Sequence, residues 1–285
     1  MGLSSVMQTA LTGMGAATTI LDVVANNLAN YETNGFKSSS VRLATLTPLT
    51  SSLGGPNSNP VQIGTGVQVV GIDADFSQGS IQMNDQLPLL ALDGDGLFIL
   101  HSSNGTRLYT RDGQFHLDAN GQLVTVDGDQ VLGFGVGADG QMDRRLLKPL
   151  EIHLGASILN ANGVTATLRG YSIAKNGQII GQYSDGINLP LGQLRLARFA
   201  NPAGLHARGM NKFASTPASG LPIESDPGAD GAAGVISGAT EFSNVDIGRE
   251  LIELTLAGTL FQSNLAVLHT ADEMLGAMFF PWRVR

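Results

Sequence analysis

Apolar residues recur in alternating steps of four and three at both ends of the chain, and in short alternating runs between. At the start, Leu3, Met7, Ala10, Met14, Ala17, Leu21, Val24 and Leu28 have the spacing of a coiled-coil seam, which predicts a helix about 40 Å long. Gly13 and Gly15 each cost about 1 kcal/mol relative to Ala, so this helix is marginal alone. It is expected to stop between Asn30 and Gly35, where an Asn-Gly pair suits the left-handed backbone of a helix end. The plainer reading of Asn26, Asn27 and Asn30 is helix-end polar residues. A second series, Ile247, Leu251, Leu254, Gly258, Phe261, Leu265, Leu268, Asp272, Leu275 and Phe279, repeats the steps with only Gly258 and Asp272 out of character. Ser243 and Asp246 precede it as a capping signature and Pro281 ends it. The two ends are therefore expected to pair.

From Gly66 to about Phe199 the period shortens to that of antiparallel β-structure punctuated by turn residues. Gly96 to His101 returns through Ser103-Asn104-Gly105 to Arg107–Thr110, and Gln114 to Leu117 returns through Asp118 to Gly121 into Gln122 to Val126. Ala166 to Ala174, Gln178 to Tyr183 and Gln193 to Phe199 repeat the arrangement. Leu46 to Gly66, with Pro48, Pro56 and Pro60, and Pro217 to Gly234 read as irregular connections. The expected fold is α+β: paired terminal helices over 1–36 and 243–285, linkers over 37–65 and 217–242, and an inserted antiparallel β-domain over 66–216.

Composition narrows the partners. Only 14% of residues are charged and 37 of 285 are Gly, against about 25% charged in an ordinary soluble domain. Such a surface suits a subunit covered by neighbours, and equally a turn-rich β protein. A net charge of −8 argues against nucleic acid, whose phosphates need a clustered basic face. No Lys or Arg precedes Lys37, which removes the basic region of a secretory leader, and the apolar positions are too interrupted to span a bilayer. Export would need a route that reads no cleavable leader. The absence of cysteine excludes disulfides and thiolate chemistry.

Candidate chemistry is thin. Gly135-Val136-Gly137-Ala138-Asp139-Gly140 spells a dinucleotide fingerprint, but Lys148-Pro149 leads into a strand-like run instead of the helix whose amides would cradle a pyrophosphate. Asp93-Gly94-Asp95-Gly96 resembles the start of a calcium loop without its twelfth-position carboxylate, and reads as a hairpin turn. His101 and His116 could meet across neighbouring strands, yet none of the five histidines has metal-ligand spacing. Glu250 and Glu253 lie one turn apart near a helix N-terminus and read as solvent residues compatible with the helix dipole. No catalytic, cofactor or metal site is expected.

The residues Leu21-Asp22-Val23-Val24-Ala25-Asn26-Asn27-Leu28-Ala29-Asn30, then Thr33-Asn34-Gly35-Phe36-Lys37, and later Ser243-Asn244-Val245-Asp246 and Thr270-Ala271-Asp272-Glu273-Met274-Leu275, resemble the bacterial flagellar axial proteins, the rod and hook subunits. Tyr109-Thr110-Arg111-Asp112-Gly113 and Asn120-Gly121-Gln122-Leu123-Val124 resemble the same family's β-domain. The resemblance implies a non-enzymatic subunit, exported unfolded by the flagellar apparatus and stacked in a hollow helical tube, with helices inside and β-domain outside. Its partners would be copies of itself and neighbouring rod and hook proteins. Within the family, Pro60-Val61-Gln62-Ile63-Gly64-Thr65-Gly66-Val67 resembles the distal-rod branch, whereas Gly181 to Gly186, Leu191 to Leu194 and Phe199 to Leu205 resemble the hook branch. The distal rod is the reading taken; Phe279 to Arg283 departs from the family's usual polar ending.

An assembly interface is expected on Leu3, Met7, Met14, Leu21, Val24, Asn26, Asn27, Leu28, Asn30, Gly35 and Phe36, and on Asn244, Ile247, Leu251, Leu254, Phe261, Leu265, Leu268, Asp272 and Leu275. Asp272 would either bond between subunits or mark a break in the coil. Competing readings are a coiled-coil-anchored β adhesin, expected to form a closed oligomer, and a cell-wall hydrolase, for which no acid pair can be nominated.

Overall fold

The computed structural model describes residues 3–51, 61–84, 88–137, 141–159, 165–229 and 231–279. The chain divides into two compact units. Unit 1 contains the residues up to Tyr31, Ser38–Asp75 and those from Val245, while unit 2 contains Glu32–Lys37 and Phe76–Asn244.

Unit 1 holds helix α1 (Leu3–Ala29) and helix α2 (Ile247–Phe279). Asp246 caps α2 as its sequence indicates: its Oδ1 accepts from the N–H groups of Gly248 (2.8 Å) and Arg249 (3.3 Å), relieving two orphan donors of the first turn. Pro281, expected to end this helix, lies outside the described residues. α1 stops at Ala29, just ahead of the expected stretch. A two-stranded ribbon, Ser39–Thr45 antiparallel to Val67–Ala74, packs along α1. Its near end is fixed at Asn27 and Ser39. At its far end the Val67 N–H donates to Thr12 Oγ1 (3.3 Å). There Gly66 holds φ +115°, and a Cβ would fall 2.1 Å from Thr12 Oγ1, so no side chain fits.

Strands therefore occupy both expected linkers. Ser39–Thr45 falls in 37–65, while Ile223–Ser225, Gly234–Ser237 and Ala239–Glu241 fall in 217–242. The Pro- and Gly-rich flanks obscure them, and three-residue strands are too short to display a period.

Unit 2 is built on a large sheet whose spatial order is Ser157–Leu159, Thr165–Ile173, Gln178–Tyr183, Asn188–Leu194, Gln130–Gly135, Leu97–His101, Arg107–Thr110, Lys212–Ala214 and His206–Gly209. Every described pairing is antiparallel. The hairpin from Leu97–His101 to Arg107–Thr110 forms as its turn residues indicate, with Phe98 opposite Thr110 and His101 opposite Arg107. The region expected as one strand over Gln193 to Phe199 is two, Asn188–Leu194 and Leu196–Arg198. Pro190 sits beside a register shift, where a missing N–H is tolerated.

Leu97–Leu100 is a continuous apolar run because both its faces are covered. Phe98 and Leu100 join the main core with Leu90, Leu92, Leu123, Leu150, Ile179, Leu194 and Leu196. Leu97 and Ile99 join a second cluster with Tyr109, Leu132, Phe199 and Phe213. Edge-on ring pairs set both packings, Phe98 with Phe115 at 5.0 Å and Tyr109 with Phe199 at 4.8 Å.

Candidate assembly surface

The two terminal helices touch at points that fix their direction. Gly13 lies against Asn264 and Asn27 against Glu250, the same number of residues apart on each helix, so α1 and α2 run antiparallel. The absence of a side chain at Gly13 permits the approach, since a Cβ there would lie 2.8 Å from the Asn264 amide.

This geometry corrects the expected seam. Ile247, Phe261, Leu268 and Leu275 are half-buried as expected, but the column beside them is one residue earlier than anticipated. Glu250, Ala257 and Ala271 are buried and Asn264 half-buried, whereas Leu251 and Asp272 are exposed and Leu265 is half-buried. Small residues allow α1 to come close, so α2 turns its small and polar side to its own partner. Many of its large side chains are left exposed: Ile252 and Leu256 are each 62% exposed and Met278 65%, with Leu251, Leu254, Leu260, Val267 and Met274 also exposed. Single exposed apolar residues need no explanation, but a run along a whole helix does.

α2 also departs from the expectation that no stretch can span a bilayer. An 18-residue window reaches a mean hydropathy of 1.4, and the helix is long and apolar enough to cross a membrane by length and composition. No Asp, Glu, Lys or Arg occurs from Leu254 to Ala271.

On α1, Val24 is buried, Leu3, Met7, Met14, Leu21 and Leu28 are half-buried, and Asn26 is exposed. Asn30 is half-buried, its Nδ2 donating to the Asn26 carbonyl (2.9 Å) as a local end bond. Asn27 behaves differently. It is 1% exposed, its Nδ2 donates to the Ser39 carbonyl (2.8 Å) and to Glu250 Oε1 (3.0 Å), and the Ser39 N–H donates to its Oδ1 (2.9 Å). The amide thus imitates a strand backbone, seating the ribbon and α2 on α1 together. Its side chain therefore serves the packing of unit 1 and makes no local helix-end bond.

Glu250 is likewise no solvent residue. Burial pushes its carboxyl above the usual range, the Asn27 hydrogen bond pulls it down, Glu253 raises it, Arg249 lowers it and Asp246 raises it. Its Oε2 is buried without a hydrogen-bond partner among the described residues. Glu253 does face solvent, paired with Arg249 at 3.2 Å.

Gly35, Phe36 and Asn244 belong to unit 2. Gly35 has φ +67°, and a Cβ would lie 2.6 Å from the Asp112 N–H, so the chain there passes flat against the Arg111–Asp112 backbone. Its N–H donates to the Glu241 carbonyl (2.8 Å), and Asn211 Nδ2 donates to the Asn34 carbonyl (2.8 Å). The Asn244 amide bonds Ser77 Oγ at 3.0 Å. The expected interface residues are therefore divided between the units, and Asn27 and Gly35 act within the chain.

Behind this segment lie charges that no sequence motif reveals. Lys37 Nζ donates to Glu241 Oε1 (2.7 Å) and to the Ser77 carbonyl (2.6 Å). Arg111 Nε donates to Glu241 Oε2, its Nη1 to the Gly96 carbonyl (2.6 Å) and its Nη2 to the Leu92 carbonyl (2.9 Å). The Gly79 N–H donates to Glu241 Oε1 (3.0 Å). These three side chains are at most 4% exposed. The only sequence signal was a lone Lys after a Gly-Phe and a lone Arg in a turn.

The other candidate motifs resolve as turns or fall apart. Asp93-Gly94-Asp95-Gly96 is a turn but not a hairpin, because Leu90–Asp93 pairs with Gly234–Ser237 and Leu97–His101 with other strands. Of the Gly135 to Gly140 run, Ala138 to Gly140 lie outside the described residues, and Gly135 ends a strand. His101 and His116 sit on strands that do not pair with each other. Lys212 meets Asp127 (2.7 Å) and Asp129; burial opposes its charge, but the two carboxylates raise its pKa above the ordinary lysine value, which rules it out as a neutral-pH base.

Three family profiles match this chain: "Flagella basal body rod protein" over residues 7–37, "Flagellar hook protein FlgE/F/G D1 domain" over 91–181, and "Flagellar basal body rod FlgEFG protein C-terminal" over 236–279. The flagellar basal-body rod protein FlgG of Borreliella burgdorferi is 34% identical over 279 residues, covering 94% of this chain and 95% of that protein. FlgG of Buchnera aphidicola subsp. Schizaphis graminum is 33% identical over 273 residues, covering 93% and 94%. The flagellar hook protein FlgE of Salmonella typhimurium is 24% identical, covering 94% of this chain and 98% of its own. The chain belongs to the flagellar basal-body rod and hook family, whose members are structural proteins and not enzymes.

Proposed function

We propose that this chain is a structural subunit of the flagellar basal-body rod that polymerises by covering the outward apolar face of α2 with neighbouring copies. The observation that carries the reading is that face: Ile252, Leu256, Leu260, Val267 and Met274 are exposed on a helix whose small side is already used by α1. A helix with so little buried is marginal as a free element and orders when a partner supplies the missing apolar contacts. The interface is heterologous and does not close, which yields a helical filament.

In this reading the helical ends, 1–36 and 243–285, form the inner layer of a hollow tube, with α1 and α2 supercoiled as a coiled coil, and 66–216 lies outside. The tube transmits torque and conducts exported subunits. Leu3, Met7, Met14, Leu21 and Leu28 on α1, with Leu251, Leu254, Phe261, Leu265, Leu268 and Leu275 on α2, supply its contacts. Its neighbours are other rod and hook proteins, its delivery is by the flagellar export apparatus without a cleaved leader, and neither lipid nor nucleic acid is a partner. Full-length similarity to FlgG proteins at 33–34% identity, against 24% for the hook protein, supports the rod over the hook.

Electron microscopy of basal bodies from cells lacking this gene tests the reading. A truncated rod without a hook is the expected result. A complete rod lacking only its hook moves the chain to the hook branch, and intact flagella overturn both. Flotation of the purified chain with liposomes tests the competing membrane use of α2, and the account expects no flotation.

A further inference from the structure

Unit 2 begins and ends at the same buried charge cluster. Lys37 stands at the end of its first segment, Glu32–Lys37, and Glu241 close to its last residue, Asn244. The two are 204 residues apart in sequence and 2.7 Å apart in space. Arg111, from the middle of the unit, completes the group through the other Glu241 oxygen. The Gly79 N–H donates to the same carboxylate, the Gly35 N–H to the Glu241 backbone carbonyl, the Ser77, Leu92 and Gly96 carbonyls accept from Lys37 and Arg111, and the strand Ile81–Met83 pairs with Ala239–Glu241.

Two cations meet one anion here in a site buried from solvent, with the three side chains at most 4% exposed. With Glu241 absent, Lys37 and Arg111 are like charges facing each other in a low dielectric, so closing the site is opposed. With Glu241 present, both acquire a charge-assisted hydrogen bond and each spare donor named above has a carbonyl. Segment 32–37 has no sheet pairing of its own in this structure, and this group, the Gly35 bond and Asn211 are among the contacts that hold it to unit 2.

We propose that Lys37, Arg111 and Glu241 form a closure latch, by which the last segment of unit 2 fastens the first and the core beside Leu92–Gly96 seals only when residue 241 arrives. A chain emerging amino-terminus first, as from a ribosome, thereby keeps this part of unit 2 open until nearly all of it is available. Leu92, itself a carbonyl partner of Arg111, and Phe98, two residues past the other partner Gly96, are members of the main core, so the latch controls sealing of that core and not a surface loop.

Pulse-labelled hydrogen exchange during refolding of the full chain tests the order of events. The latch requires segments 33–37, 92–97 and 109–113 to gain protection in the same phase as 239–242. Protection of 92–97 in an earlier phase than 239–242 overturns it. The full-length variant Glu241→Gln, compared at equilibrium, is expected to lose protection at least tenfold at 33–37, 77–81, 92–97 and 109–113 together, while Thr165–Ile173 and Gln178–Tyr183 keep theirs. Loss confined to 77–81 and 239–242, or equal loss throughout unit 2, contradicts the proposal. Should that variant not fold, the triple replacement Lys37→Met, Arg111→Met, Glu241→Leu removes all three charges at similar volume. It is then expected to protect 92–97 ahead of 239–242, and simultaneous protection in it shows that the charges do not set the order.

Discussion

The core of unit 2 buries large apolar side chains completely, and α2 in unit 1 buries none of its own completely. Phe98, Leu90, Leu92 and Leu194 have no measurable exposure, whereas on α2 the buried residues are Glu250, Ala257 and Ala271. Both regions are apolar in sequence, so composition alone does not separate them. The difference is the number of elements available: Leu97–Leu100 is covered on both faces of a sheet, while α2 packs chiefly on α1. One region is complete within its own chain, and under the proposed assembly the other is completed by a neighbouring copy. The two buried glutamates repeat the contrast, since Glu241 has both oxygens bonded and Glu250 has one.

The comparison is broken most strongly by charging the exposed face. Replacing Ile252 and Leu256 with Asp is expected to abolish polymer formation, seen as loss of sedimentable filaments, while leaving thermal unfolding of unit 2 unchanged. Phe98→Ala works in the opposite sense. It should destabilise unit 2 by about 3–5 kcal/mol in urea unfolding, with filaments lost only because the subunit fails to fold.

Smaller effects test the contact between the helices. Asn27→Ala leaves the Ser39 N–H and carbonyl and Glu250 Oε1 without this partner, and should destabilise unit 1 by about 1–3 kcal/mol, read as faster hydrogen exchange in α1 and in Ser39–Thr45. Glu250→Gln is the mildest and depends on pH. The folded carboxyl titrates above its unfolded value, so the folded state binds its proton more tightly and stability is present at acid pH. It is lost as pH rises from the ordinary carboxyl range through the raised value. The thermal midpoint of unit 1 in the native chain should therefore fall across that window. In the Gln variant this fall should disappear, leaving a midpoint at neutral pH no lower than that of the native chain.

Both long helices were legible in the sequence because steps of four and three persist through them, and the Asp246 cap was legible because its side chain acts on neighbours in sequence. The rotation of α2 was not. The period places large apolar residues at the seam, but Gly13, Ala257 and Ala271 let the helices approach on their small sides, and a close contact favours small residues where a period count favours large ones. Asn27 looks like an end residue in the sequence because nothing local reveals that Ser39 and Glu250 converge on it. The Lys37, Arg111 and Glu241 cluster was illegible for the same reason, since its members lie 130 and 204 residues apart. The strands of the second expected linker were hidden by brevity, being three or four residues in Ile223–Ser225 and Gly234–Ser237.

Hydroxyl-radical footprinting of the free subunit and of the assembled rod tests the central claim most directly. Met274 and Met278, 55% and 65% exposed in the subunit, report on α2 side chains themselves. Ready oxidation in the free subunit and strong protection in the rod is the predicted result. Equal oxidation in both states would contradict the account, because the outward face of α2 would then remain uncovered after assembly.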